Sequence, residues 1–170
     1  MYRRLLYILP LGLVWLAFAG DLDDLDMAYP RQPLENLTVG GQPSEDDLTH
    51  FAREGYAVVI NLRTAGEFDD FDEAEVVESL GMTYVNIPVD GRGDLTEENA
   101  ARLHDALHGA EGPVLLHCTI GMRASGLLGV EGYLFHNLSA EEAKKLGRDA
   151  HMSHIESYIE NAIEDIEEGE

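Results

Sequence analysis

The sequence predicts an α/β fold, a three-layer sandwich with a central, mostly parallel sheet. Short apolar runs at 56–62, 83–89 and 114–117 are typical of buried strands, and amphipathic stretches that end at glycine lie between them. Chains in which strands alternate with helices bury a parallel sheet between two helical layers. The 170 residues are enough for one such domain, and the sequence shows no internal repeat.

The N-terminal segment has the layout of an export signal. Arg3 and Arg4 precede an apolar stretch that ends at a small-residue cleavage pattern, Ala17-Phe-Ala19. The sequence therefore predicts an exported protein, located in the periplasm or outside the cell. The predicted organisation is a signal peptide at 1–19, an acidic, proline-containing linker at 20–35 and one folded domain at 36–170.

Within the domain, N-cap residues and glycine stops set the predicted boundaries. The predicted elements are a strand near Val39, a helix from Ser44 to Glu54, a strand at 56–62, a helix at 73–80, a strand at 83–89, a helix from Thr96 to His108, a strand at 114–117, a helix at 123–137, and two closing helices that begin at Ser139 and Ser153. Gly126, Gly129 and Gly132 recur in the longest helix, which predicts that this helix packs closely on the sheet.

The charge balance excludes two classes of partner. The formal net charge is -22 at pH 7. A field of that sign repels nucleic acid and anionic membrane surfaces, so neither is expected to bind. The sequence does not predict an oligomeric state. A single cysteine also excludes an internal disulfide.

That cysteine, Cys118, carries the strongest functional signal. It follows the apolar run after Pro113, at the carboxyl end of a predicted strand, where open α/β sheets bind ligands. Loop amides and the start of the next helix attract an anion there and stabilise a thiolate, the nucleophilic form of cysteine. A lone cysteine is most often a small buried apolar residue. The combination with His117, a loop glycine and Arg123 favours a nucleophile.

The same pattern identifies candidate binding and acid residues. Arg123 offers two parallel donors for the oxygens of a phosphate. Transfer of a phosphoryl group to Cys118 would need an acid to protonate the leaving oxygen, and the candidate is Asp90, which follows a predicted strand at the start of a Gly-Arg-Gly loop. Asp94 is the alternative candidate, although its carboxylate could instead complement the dipole of the next helix. Both residues could also be surface carboxylates without a catalytic role. The predicted anion-binding residues are His117, Thr119, Ile120, Gly121, Met122, Arg123 and Ser125.

Two further pairs of residues are candidates for a functional role. His104 and His108 share a helix face, as zinc ligands do, but the sequence indicates no third ligand, so neither a metal site nor a cofactor is expected. Arg63 and Glu67 could line the mouth of the site or form a surface ion pair.

The last helix has an isoleucine stripe typical of core packing, with an acidic remainder that could meet a basic partner. The stripe comprises Ile155, Ile159, Ile163 and Ile166.

Four motifs in order carry a family resemblance. They are Leu37–Ser44, Val59–Arg63 with Glu67, Tyr84–Val89 and His117–Ser125. Over about residues 36 to 137 the chain resembles the bacterial phosphatase-like domain catalogued as beta-lactamase hydrolase-like, a distant relative of the dual-specificity and tyrosine phosphatases. The resemblance implies a cysteine-dependent phosphatase fold with Cys118 as nucleophile and Arg123 as phosphate ligand. It implies a phosphorylated small molecule or a phosphoprotein as substrate.

The loop also departs from the tyrosine phosphatases. Four residues separate Cys118 from Arg123, where well-studied tyrosine phosphatases have five, and Ala124 stands where a serine or threonine is usual. The shorter loop resembles that of rhodanese sulfurtransferases, in which the cysteine carries a persulfide. Sulfur transfer through a Cys118 persulfide is therefore one alternative. A domain that binds an anion or a protein without turnover is another.

Overall fold

The computed structural model describes residues 22–68, 70–151 and 155–169. The predicted signal peptide at 1–19 and Ser153, the predicted cap of the last helix, lie outside these ranges. Within the described ranges no helix is both long and apolar enough to cross a membrane.

The centre of the domain is a five-stranded sheet in the order β1-β2-β5-β3-β4. β1 runs antiparallel to β2, whereas β2, β5, β3 and β4 are mutually parallel. The prediction of a mostly parallel sheet is therefore confirmed. Every residue of β2, β3 and β5 is buried, as expected for strands covered on both faces. The strands are β1 (Arg31–Leu34), β2 (Leu37–Gly40), β3 (Val58–Asn61), β4 (Thr83–Asn86) and β5 (Val114–His117).

Helices cover both faces of the sheet, which confirms the three-layer sandwich. The alternation of side chains along β3 and β5 sends Val59 and Leu115 to the face covered by α1 and α2. Ile60 and Leu116 point to the opposite face, where α3 and α4 pack. The helices are α1 (Glu45–Arg53), α2 (Glu73–Ser79), α3 (Glu97–His108), α4 (Met122–His136), α5 (Ala140–Ala150) and α6 (Glu156–Gly169).

Several predicted boundaries are confirmed by side-chain caps. Ser44 and Asp47 form a capping box at α1, and Ser139 and Glu142 form another at α5. Thr96 caps α3 by accepting the Asn99 N–H. The strand predicted at 83–89 is shorter in the structure, because Pro88 has no N–H with which to continue a regular ladder.

The predicted linker at 20–35 needs correction at its C-terminal end. Arg31–Leu34 forms the edge strand β1, and Met27 before it is buried. The Gly41 N–H also donates to the Ala28 carbonyl at 2.7 Å. The sequence did not indicate this strand, because it is short and half-exposed. It also contains Pro33, a residue that only an edge strand tolerates.

The glycine stripe of α4 also faces a different neighbour than predicted. A Cβ atom on Gly129 would lie 2.6 Å from Ile159 Cδ1 and 3.0 Å from the Ala143 carbonyl oxygen, which belong to α6 and α5. The stripe therefore lets α5 and α6 approach α4, and it does not contact the sheet as expected. Ile155 and Ile159 are buried in this contact, which confirms that the isoleucine stripe is core.

Candidate active site

The site lies at the carboxyl edge of the sheet, between β5 and α4. β5 ends at His117, Cys118 follows with 1% of its surface exposed, and α4 begins four residues later. Gly121 caps α4 with φ at +91°, in the left-handed region that favours glycine. A Cβ atom there would also lie 2.9 Å from His151 Cδ2. The turn from strand to helix therefore requires the loop glycine.

The loop is anchored from outside through its carbonyl groups. The Thr119 carbonyl accepts the Gln42 N–H at 3.1 Å, and the Ile120 carbonyl accepts from His151 Nε2 at 2.9 Å. In a trans peptide the N–H points opposite to the C=O. The outward carbonyl of Ile120 thus turns the next N–H inward, and Gly121 donates it to Cys118 Sγ at 3.1 Å. This amide stabilises negative charge on the sulfur.

Arg123, in the first turn of α4, has both terminal nitrogens engaged. Nη1 donates to Glu67 Oε1 at 2.8 Å and to the Val89 carbonyl at 2.7 Å. Nη2 donates to Glu67 Oε2 at 2.6 Å and to Thr119 Oγ1 at 2.9 Å. The bidentate pair with Glu67 fixes the plane of the guanidinium beside Cys118.

The contacts of the pair favour the ionised form of both partners. The Arg123 hydrogen bonds hold the pKa of Glu67 far below its ordinary value, with burial opposing. The Glu67 hydrogen bonds in turn raise the pKa of Arg123, and the charge of the Cys118 thiolate adds to this. Sequence reasoning put Glu67 at the mouth of the site or in a surface pair with Arg63. The structure places it against Arg123.

Arg63 belongs instead to a buried network beneath the loop. It forms an ion pair with Glu73, whose other oxygen lies 2.7 Å from His117 Nε2. Asn61 donates to the same carboxylate at 3.1 Å. Burial raises the pKa of Glu73, but the bond and charge of His117 together with Arg63 outweigh it, so the pKa lies below its ordinary value. His117, predicted to bind the anion, is fully buried and directed at Glu73.

A cavity of about 370 Å³ opens in front of Cys118. Its lining brings the predicted nucleophile, the arginine and Asp90 together. Leu95, Ile155 and Tyr158 form an apolar wall that no local sequence pattern indicated, because Leu95 lies 60 positions before Ile155 in the chain. The lining comprises Glu67, Asp90, Gly91, Arg92, Leu95, Cys118, Thr119, Ile120, Met122, Arg123, Ile155 and Tyr158.

The two candidate acids have different positions. Asp90 is exposed and lines the cavity. Asp94 Oδ2 accepts the Asp90 N–H at 2.8 Å, so Asp94 holds the loop that presents Asp90. Ser125, another predicted anion ligand, donates its hydroxyl to the Met122 carbonyl at 3.0 Å within α4. Its side chain is buried in the helix.

The structure changes the expectation that His104 has no further metal-ligating residue beside it. The sequence offered no third ligand for His104, but the structure brings Glu131 and His136 to it. His104 Nδ1 and His136 Nε2 each lie 2.9 Å from Glu131 Oε1. The hydrogen bond to Glu131 raises the pKa of His136. These residues meet only because α3 packs on α4, and no spacing along the chain shows it.

Known proteins resemble the chain in sequence and in fold. A beta-lactamase hydrolase-like protein of Xylella fastidiosa is 34% identical over 118 residues, which cover 66% of this chain and 27% of that protein. The nma1982 protein of Neisseria meningitidis superposes with a TM-score of 0.64 at 22% identity, over 78% of this chain and 96% of that one. For Tk-PTP, solved in its active form, the TM-score is 0.62 at 18% identity, over 81% and 97% of the chains.

Residues 31–132 match the family described as the phosphatase-like domain of beta-lactamase hydrolase-like proteins. The chain spans about a quarter of the length of the curated relatives it matches. The sequence match is to a phosphatase-like domain, and the solved structures share its fold. The chain belongs to the family of the beta-lactamase hydrolase-like phosphatase domains.

Proposed function

We propose that this domain is a cysteine-dependent phosphatase that hydrolyses phosphomonoesters through a cysteinyl-phosphate on Cys118. One observation carries the proposal. Cys118, Arg123 and Asp90 line the same cavity, although Asp90 and Arg123 are 33 positions apart in the chain. A nucleophile, an anion ligand and an acid in one cavity are the parts that phosphoryl transfer by cysteine needs.

The chemistry follows from these positions. The Cys118 thiolate attacks phosphorus, the S–P bond forms, and the bond from phosphorus to the leaving oxygen breaks. The acid Asp90 gives its proton to that oxygen, so the product leaves as a neutral alcohol. Water then attacks the cysteinyl-phosphate while the Asp90 carboxylate takes its proton, which releases phosphate and restores the thiolate.

The apolar wall indicates the kind of ester that fits. Leu95, Ile155 and Tyr158 line the cavity together with Cys118, and the Arg92 guanidinium lies 5.6 Å from the centroid of the Tyr158 ring. Apolar surface of this kind favours an aryl leaving group over a sugar or another polar one. An aryl phosphate, free or on a protein, is therefore the substrate class that we expect.

The proposal is tested by aryl phosphate hydrolysis with three variants. Cys118→Ser should abolish turnover, because the hydroxyl is a weak nucleophile at neutral pH. Asp90→Asn should lower kcat by about 10²–10⁴-fold. Asp94→Asn is the matched control and should cost less, because Asp94 touches only the loop. A Cys118→Ser variant as fast as the parent would refute the cysteine mechanism.

The family assignment favours phosphatase chemistry over sulfur transfer, and one experiment separates them. The chain is incubated with thiosulfate and its intact mass is then measured. A stable gain of one sulfur atom without aryl phosphatase activity would replace the proposal by a Cys118 persulfide. Phosphate-dependent thermal stabilisation that Arg123→Ala removes, with no turnover of either kind, would point to a binding domain.

Export is also part of the proposal. Arg3 and Arg4 before the apolar stretch, and the small residues at its end, support a signal peptide at 1–19. Cell fractionation followed by N-terminal sequencing should find the chain outside the cytoplasm and starting at Gly20. An intact N-terminus on cytoplasmic protein would contradict it.

A further inference from the structure

Far from the cysteine, three side chains of α3 and α4 converge on one point. His104 Nδ1, His136 Nε2 and a carboxylate oxygen of Glu131 all lie within 4.8 Å of one another. Each histidine donates to Glu131 Oε1 at 2.9 Å. The His104 ring stacks on that of Phe135, with the ring centroids 4.3 Å apart, and lies tilted against that of His108 at 4.0 Å.

The carboxylate in this cluster is buried and incompletely partnered. The Glu131 side chain is 1% exposed, whereas those of His104 and His136 are 22% and 16% exposed. Glu131 Oε2 has no hydrogen-bond partner in the described part of the chain. A buried carboxylate with an unmatched oxygen is costly unless a positive charge compensates it. Glu131 Oε2 therefore remains available to ligate a cation.

We propose that His104, Glu131 and His136 bind one divalent transition-metal ion, with Zn²⁺ as the type that fits. Zinc bonds to imidazole nitrogen and carboxylate oxygen at about 2.0–2.2 Å in tetrahedral geometry, which puts the ligand atoms about 3.3 Å apart. The two observed 2.9 Å separations from Glu131 Oε1 need to open by a few tenths of an ångström, and the two histidine nitrogens, which lie within 4.8 Å of one another, need to reach the same spacing. The ion binds at the two ring nitrogens that now face Glu131, and each neutral imidazole then carries its proton on its other ring nitrogen.

The donor set selects the kind of ion. Two imidazoles and one carboxylate suit zinc, cobalt, nickel or copper, whereas magnesium and calcium prefer all-oxygen sites. The partial exposure of both histidines gives the ion a path inward and leaves room for water as the fourth ligand.

The ion would join two helices without taking part in the reaction. Glu131 and His136 belong to α4 and His104 to α3. Glu131 lies eight residues beyond Arg123 on α4, or about 12 Å along the helix axis. Binding should therefore stabilise the fold and leave aryl phosphate turnover unchanged. This inference is independent of the proposed phosphatase function.

The test is calorimetric titration of Zn²⁺ into the full, untagged chain. All proteins carry Cys118→Ser, which removes the thiolate as a competing ligand, and excess Mg²⁺ occupies the exposed carboxylates. We expect one zinc ion per chain. His104→Gln and His136→Gln should each weaken binding by about 100-fold or more. His50→Gln, a half-buried histidine on α1, is the matched control and should bind as the parent does.

Two further measurements test whether the ion binds at these three residues. Cobalt should give visible d–d absorption in the parent and in His50→Gln but not in His104→Gln. Zinc should raise the Tm of the same two proteins, and a chelator should reverse the rise. Circular dichroism shows whether each variant is folded. Absence of one-to-one binding in the folded parent, or equal binding by His104→Gln and His50→Gln, would overturn the proposal.

Discussion

At the scale of single residues, the guanidinium of Arg123 already holds an anion. Both of its terminal nitrogens donate to the Glu67 carboxylate, and the same nitrogens also donate to Val89 and Thr119. A phosphoryl group that enters the cavity must compete with this resident carboxylate or share the guanidinium with it. Glu67 thus orders Arg123 but opposes anion binding by its charge.

Glu67→Gln should therefore bind inorganic phosphate more tightly than the parent. The change removes one negative charge beside the anion site and keeps the shape of the side chain. A decrease in Kd of about tenfold corresponds to about 1.4 kcal/mol, and titration calorimetry measures it. Glu45→Gln, on the exposed first turn of α1, controls for the change in net charge. Weaker phosphate binding by Glu67→Gln would show that ordering of Arg123 matters more than competition.

The buried network beneath the loop makes Glu73 a stability residue. Its carboxylate faces both Arg63 and His117, and removal of its charge leaves a buried guanidinium unpaired. Loss of one partner of a buried ion pair costs about 3–5 kcal/mol. We expect a loss of this size for Glu73→Gln in urea unfolding. Glu75→Gln, exposed on the same helix, should change the free energy of unfolding by less than about 0.5 kcal/mol.

At the scale of elements, the cysteine loop depends on neighbours that are distant in sequence. Gln42, just after β2, and His151, at the end of α5, hold it from outside, while its own residues supply the turn and the inward amide. The His151 side chain also packs edge-on against Tyr29. The geometry of the loop is thus set by the sheet edge and by the helix layer together.

The His151 anchor predicts a pH dependence of stability. Burial lowers the pKa of His151, and Arg31 adds to this, while the bond to Ile120 opposes it. In the unfolded chain this histidine protonates near its ordinary pKa of about 6.5. Between the lower pKa of the folded state and about pH 6.5, the unfolded state binds more protons than the folded state does. The contribution of His151 to stability is therefore present above about pH 6.5 and is lost as the pH falls.

His151→Gln should reveal this contribution in urea unfolding at several pH values. The variant should be about 1 kcal/mol less stable than the parent at pH 7.5, because one hydrogen bond to Ile120 is weakened. The difference should shrink as pH falls to about 5, because only the parent carries the titrating group. A difference that grows toward acid pH would contradict the assigned direction.

At the scale of the whole molecule, the charge of -22 opposes the substrate that the site is proposed to bind. Exposed charges act over about 10 Å at 0.1 M salt and over about 3 Å at 1 M. The kcat/KM for an aryl phosphate dianion should therefore rise with ionic strength, with kcat nearly constant. Steady-state kinetics in sodium chloride measures this. A kcat/KM that falls with salt would mean that local attraction at Arg123 dominates.

Local patterns in the sequence were enough to indicate the candidate site residues. Cys118, the loop glycine and Arg123 form one contiguous motif, and Asp90 follows a predicted strand; the structure brings Cys118, Arg123 and Asp90 to one cavity. The layer order was predicted because buried strands and capped helices leave strong local signals. The edge strand β1 was missed because three of its four residues are only partly buried and the fourth is exposed.

Contacts between distant segments could not be predicted. The bond from Arg123 to Glu67 spans 56 positions, and the apolar wall combines Leu95 with Ile155 and Tyr158. The cluster of His104, Glu131 and His136 depends on how α3 packs on α4. Such contacts are set by packing after the elements have formed. No spacing along one chain encodes them.

The most direct test of the central claim is to trap the covalent intermediate. The Asp90→Asn variant is mixed with an aryl phosphate, quenched in acid, digested and weighed by mass spectrometry. We expect a gain of one phosphoryl group on the peptide that contains Cys118, and no such gain in the double variant that also carries Cys118→Ser. Turnover of the ester by Asp90→Asn with no phosphoryl group on Cys118 at any quench time would contradict it.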